Sequence, residues 1–139
     1  MKIRWVIFLV CMGLLTACNS QGKSASLVGD WKLTAYGPVG SPQPAIPDVE
    51  AKMSFDSQGQ VSGNLGCNQF SGKYEVKGSQ ISFGPQAATL MACPEAQMMQ
   101  EQAAFKVMAG SADYKIDGNT LTITNDGDAL VFEAISAQK

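Results

Sequence analysis

Turn residues recur along most of this chain at intervals too short to leave room for helices. Asp56-Ser57-Gln58-Gly59, Lys77-Gly78-Ser79, Asp117-Gly118-Asn119 and Asn125-Asp126-Gly127-Asp128 each stand beside short segments in which apolar and polar residues alternate. A period of two marks a half-buried strand, and Asp-Gly between two such segments is a strong hairpin signal. A chain divided this way folds as antiparallel strands. Residues 51–55 and 60–64 form one hairpin, residues 73–76 and 80–83 a second, and residues 113–116, 120–124 and 129–135 a run of further arms. Residues 27–36 read as the first strand, with Trp31, Leu33 and Ala35 on one face and Lys32, Thr34 and Tyr36 on the other. Ala87-Ala88-Thr89 reads as another short strand. Residues 37–47 hold four prolines and two glycines and read as a long irregular loop.

One segment has a different period. From Pro94 to Ala109 the chain is rich in Glu, Gln, Met and Ala, all good helix formers, and Gly110 follows as a stop. Helical spacing gathers Met98, Glu101, Phe105 and Met108 on one face, which is the expected buried face. The expected fold is therefore mainly β with one α-helix: about eight short antiparallel strands in a half-open barrel packed on that helix. Gly63 and Gly66 beside Cys67 suggest a bulge or a close backbone approach there.

The first residues read as a targeting segment. Lys2 and Arg4 precede an apolar run of about 11 residues, too short to span a bilayer and suited to a signal peptide. The run ends at Leu15-Thr16-Ala17-Cys18, which resembles the bacterial lipobox, in which the cysteine thiol accepts a lipid. The expected organisation is a signal peptide over 1–17, a lipidated Cys18 with a flexible polar tether over 18–26, and one domain over 27–139. An ordinary secretory signal cut after Ala17 would instead leave Cys18 as an unpaired secreted thiol. Asn19 stands where an Asp would favour inner-membrane retention. The expected location is thus the periplasmic face of the outer membrane, held there by the lipid.

Cysteine arithmetic follows from this processing. Cys11 leaves with the signal and Cys18 takes the lipid, so Cys67 and Cys93 remain as an even pair in an oxidising compartment. A disulfide between them would stabilise the fold by about 3 kcal/mol through loop closure. A redox pair is the competing reading, since Cys93 stands just before a helix, where thiol pKa values fall. The separation is unlike the C-x-x-C of redox motifs, which favours a structural bond.

Composition narrows the function classes. Removing Lys2 and Arg4 from the ten basic residues leaves eight against twelve acidic ones, a net charge of −4. With no basic cluster, nucleic acid is not the expected partner. The chain has no histidine, the commonest general base and transition-metal ligand. It also lacks the Gly-x-Ser-x-Gly pattern of the serine nucleophile elbow. No enzyme activity, cofactor or metal is expected. Asn125-Asp126-Gly127-Asp128 lacks the spacing and distal Glu of a calcium loop and reads as a turn. Met53, Met91, Met98, Met99 and Met108 suit a core or an adaptable apolar pocket. Glu101 is the conspicuous polar residue, an acid on the expected buried face. It reads as a helix-to-sheet hydrogen bond near Asn68, with a ligand contact as the alternative.

A family resemblance rests on Gly66-Cys67-Asn68, Ser71-Gly72-Lys73-Tyr74, Ile81-Ser82-Phe83, Met91-Ala92-Cys93-Pro94, and Gln100-Glu101 with Phe105. Over about residues 27–134 the chain resembles the META-domain, HslJ-like family of bacterial envelope and stress proteins. The resemblance implies a half-barrel packed on a helix, often behind a lipoprotein signal. It implies non-catalytic roles in heat-shock response, drug resistance, secretion or envelope integrity. Family members often carry a cation just before the Met-Ala-Cys run; here that position is Leu90, which weakens any anion-binding role. The expected function is a non-catalytic envelope lipoprotein acting through contacts with another envelope protein. The alternative is a carrier for a small apolar ligand inside the half-barrel.

Overall fold

A computed structural model describes residues 26–135. The signal, Cys18 and most of the tether lie outside the described residues.

The strands are β1 (Gly29–Pro38), β2 (Gln43–Pro44), β3 (Lys52–Phe55), β4 (Gln60–Asn64), β5 (Gln69–Lys77), β6 (Gln80–Ala88), β7 (Ser111–Asp117), β8 (Thr120–Asn125) and β9 (Asp128–Ala134), with the helix α1 (Glu95–Val107) between β6 and β7. Every pairing is antiparallel, and β9 pairs back on β1. The ring is a closed barrel of eight strands, with the two-residue β2 outside it on β1. Closure removes the open edges that a half-barrel would leave.

Antiparallel order sorts the connections onto two ends. The short turns 56–59, 78–79 and 118–119 share one end with the start of β1 and the finish of β9. The opposite end carries the connections 39–51, 65–68 and 126–127 and the long 89–110 excursion that contains α1. The chain therefore enters the barrel at the turn end, and the helix closes the other.

Side chains fill the interior. Leu33, Met53, Phe55, Val61, Ile81, Leu121, Ile123, Leu130 and Phe132 are each 2% exposed or less. Phe55 meets Tyr74 edge-on at 4.9 Å between ring centroids, and Phe70 meets Phe105 at 5.5 Å. A barrel of this strand number has just enough width for its side chains.

The structure corrects the sequence reading in four places. Trp31 and Leu33 face inward as expected, but a bulge at Thr34 shifts the phase of β1, so Tyr36 rather than Ala35 continues the buried face. Residues 43–44 of the Pro-rich segment form β2, because Pro44 sits on an outer strand where its missing N–H costs no ladder bond. The two short segments 80–83 and 87–89 join as one strand, β6, through an irregularity opposite Lys73 that absorbs Gly84 and Pro85. On α1 the buried residues are Gln100, Glu101, Ala104 and Val107, followed by Met108, while Met98 and Met99 face outward.

Candidate functional site

The expected site residues converge where α1 meets the 65–68 connection. Gly66 makes the approach feasible: a Cβ there would lie 2.4 Å from the carbonyl oxygen of Gln97 and 3.1 Å from the amide of Glu101. Only a glycine allows the helix backbone so close. Asn64 shapes the connection from within, accepting from the Gly66 amide at 2.9 Å and donating to the Cys67 carbonyl at 2.9 Å.

Glu101 is buried against this connection. Its Oε2 accepts from the backbone amides of Cys67 and Asn68, at 3.1 and 2.5 Å, and its Oε1 accepts from Asn68 Nδ2 at 2.7 Å. Asn68 extends the chain of bonds, since its Oδ1 accepts from the Thr89 hydroxyl at 2.9 Å and the Met91 amide at 2.8 Å. Thr89 Oγ1 in turn accepts from the Gln69 amide at 3.1 Å. Hydrogen bonds to a carboxylate are among the stronger ones, and a closed set of this kind fixes geometry rather than leaving an atom free for substrate. Among the described residues, no buried side-chain nitrogen or oxygen lacks a partner.

The disulfide runs through the same cluster. Cys67 and Cys93 are joined, with their Cα atoms 5.9 Å apart and a sequence separation of 26. The bond ties the 65–68 connection to the residue before Pro94, where α1 begins. Glu101 and the disulfide thus clamp one short connection to two points of the helix segment.

Sequence reasoning named Gln100 only within the family resemblance and gave it no role; it is fully buried. Its Nε2 donates to the Leu65 carbonyl at 2.9 Å, and its Oε1 accepts from the Ile46 amide at 2.8 Å. One side chain so joins the helix, the 65–68 connection and the Pro-rich segment. The spacing of Gln100, Ala104 and Val107 carries the signal, but a polar residue on an apolar face escapes a search for hydrophobic periodicity. Asn125 was read only as a turn residue. Its Nδ2 also donates to the Val107 and Ala109 carbonyls at 3.1 and 3.2 Å, which satisfies free groups at the end of α1.

The methionines do not line one pocket. Met53 and Met108 are in the core, whereas Met91, Met98 and Met99 are exposed. An apolar cleft opens between the 83–88 stretch of β6 and residues 105–110, where β6 departs from β7 after Ser82. It has a volume of about 450 Å³ and includes Phe83, Pro85, Phe105 and Met108 in its lining. Among the described residues, no group of three His, Cys, Asp or Glu side chains is arranged to hold a metal ion.

Residues 25–137 match the META domain. The chain belongs to the META domain family. No curated protein matches it significantly. Solved structures share the barrel: a protein from Burkholderia xenovorans determined by NMR, at 22% identity and a TM-score of 0.66, covers 78% of this chain and 83% of its own. A DUF4847 family protein from Bacteroides vulgatus has 12% identity and a TM-score of 0.56, over 79% of this chain and 94% of its own. A lipocalin-like protein from Bacteroides uniformis has 20% identity and a TM-score of 0.52, over 78% and 98%. At these identities the likeness is one of fold.

Proposed function

We propose that this META-domain protein is a non-catalytic envelope lipoprotein. Cys18 carries the lipid, residues 19–26 form the tether, and the helix-capped end of the barrel meets another envelope protein. The outer membrane, on its periplasmic face, is the proposed location, and stress tolerance, drug resistance or envelope integrity the proposed role. One observation carries this reading. The chain enters at the turn end, while Leu90, Met91 and Met99 stand exposed at the opposite end, with Leu90 99% exposed. An anchor at Cys18 joins the domain at its turn end and leaves that apolar surface at the end remote from the attachment, where a partner can reach it. The polar cluster beneath it is committed to internal bonds, which supports contact rather than chemistry as the mode of action.

Two labels test the reading. Cells grown with an alkynyl fatty acid should label the wild-type chain and leave Cys18→Ser unlabelled. A photocrosslinking side chain at position 90 should capture an envelope protein that the same group at position 118 does not. An unlabelled wild type, or equal capture from both ends, contradicts the proposal.

A second reading, a carrier for a small apolar ligand, is favoured by the cleft containing Phe83, Phe105 and Met108. Side chains fill the barrel interior, so on this reading the ligand would sit in the cleft beside β6 rather than in the lumen. Native mass spectrometry of protein purified gently from cells decides this point. A bound adduct that Phe105→Glu abolishes supports the carrier, and a bare mass counts against it.

A further inference from the structure

We propose that the helix-capped end is an oxidant-reactive methionine surface. Met91, Met98 and Met99 take up oxygen from two-electron oxidants, such as hypochlorous acid, while the fold persists. This inference does not depend on the lipoprotein reading.

The described domain holds two classes of methionine. Met53 is fully buried and Met108 is 2% exposed, as is usual for this residue. Met91, Met98 and Met99 are 52%, 37% and 60% exposed, and all three fall within the 89–110 excursion. A thioether is a soft nucleophile whose oxidation follows its access to solvent. Thiols ordinarily react first, but Cys67 and Cys93 are both held in the disulfide. Among the described residues, the exposed thioethers are therefore the most oxidisable sulfur.

The step balances without a further reagent. The methionine sulfur attacks the oxygen of hypochlorous acid, an S–O bond forms as the O–Cl bond breaks, chloride leaves and the hydroxyl proton goes to water. Sulfur loses two electrons and the chlorine gains them. The product is methionine sulfoxide, polar where the thioether was apolar, and open to enzymatic reduction.

The surroundings explain why the fold tolerates this change. Met91 is fixed through its backbone amide on Asn68 Oδ1, not through its side chain. The helix is held from its other side by Gln100, Glu101, Ala104 and Val107. Oxidation thus alters the exposed surface of the helix-capped end and leaves the clamp beneath it in place.

The test is a titration of the protein, as purified from cells, with hypochlorous acid, followed by peptide mass mapping and a thermal melt. Met91, Met98 and Met99 should each gain one oxygen about tenfold faster than Met53 and Met108, with little change in melting. Methionine sulfoxide reductase should reverse the gain. The variant carrying Met91→Leu, Met98→Leu and Met99→Leu should fold normally and consume about three fewer equivalents of oxidant. Oxidation of Met53 or Met108 as fast as the exposed three, unfolding at the same dose, or unchanged consumption by the variant overturns the proposal.

Discussion

At the turn end the chain reverses within a few residues, and the bonds that hold it are local or reach the adjacent strand. Asp56 Oδ1 accepts from the amides of Gln58 and Gln60, both at 2.8 Å, and Gly118 takes a φ of +59° between β7 and β8. At the helix end the bonds join residues far apart in sequence: 33 and 34 positions for Glu101, and 35 and 54 for Gln100. Local turns form as soon as their strands meet. The helix clamp can form only after the barrel has brought α1 to the 65–68 connection, since loop closure must precede such contacts. The comparison shows why buried polar groups collect at one end. Irregular connections there present backbone amides that no neighbouring strand can pair, and side chains supply the partners.

The largest predicted effect breaks the helix end. Cys93→Ser opens a loop of 26 positions and should lower unfolding stability by about 3 kcal/mol, read from urea melts. A variant as stable as the wild type would show that the disulfide adds nothing to the clamp. Next comes Glu101→Gln, which keeps the shape but turns an amide toward donors that need an acceptor. It should cost about 2 kcal/mol, and a change below about 0.5 kcal/mol would release Glu101 from its structural role.

The turn end should respond less. Gly118→Ala places a side chain in the left-handed region and should cost about 1 kcal/mol, measurable as a lowered urea midpoint. A loss equal to that of Glu101→Gln would erase the contrast between the ends. The smallest effect concerns Tyr74, whose hydroxyl donates to the Asp56 carbonyl at 2.6 Å. Burial first, then the charges of Asp56 and Tyr114, raise its phenol above the ordinary value. Because the folded pKa is the higher one, the associated stability is complete below about pH 10 and declines as pH rises toward the folded value. Tyr74→Phe should flatten this alkaline decline while slightly lowering stability at neutral pH. An unchanged alkaline slope would contradict that assignment.

The legibility of the sequence divides along the same line. The hairpins around Gly59, Gly78 and Gly118 could be read directly, because their turn chemistry is local. Glu101 was legible from helical spacing, and its tie to Asn68 from the need of a buried acid for donors. The shift at Thr34 was not, since bulges depend on the register of β9, a strand about a hundred residues away. Gln100 was hidden because its polarity disguised a core position, and Met98 was misplaced by following apolar residues around the helix. Barrel closure through β1 and β9 depends on strand tilt and register, which no single segment encodes.

Native-state hydrogen exchange on the wild type and Glu101→Gln tests the central claim most directly. If Glu101 serves to clamp the helix end, the amides of Cys67, Asn68 and Met91 should lose about tenfold more protection than those of Leu121 and Ile123 in β8. Equal loss along the whole chain, or unchanged protection at Cys67 and Asn68, would contradict it.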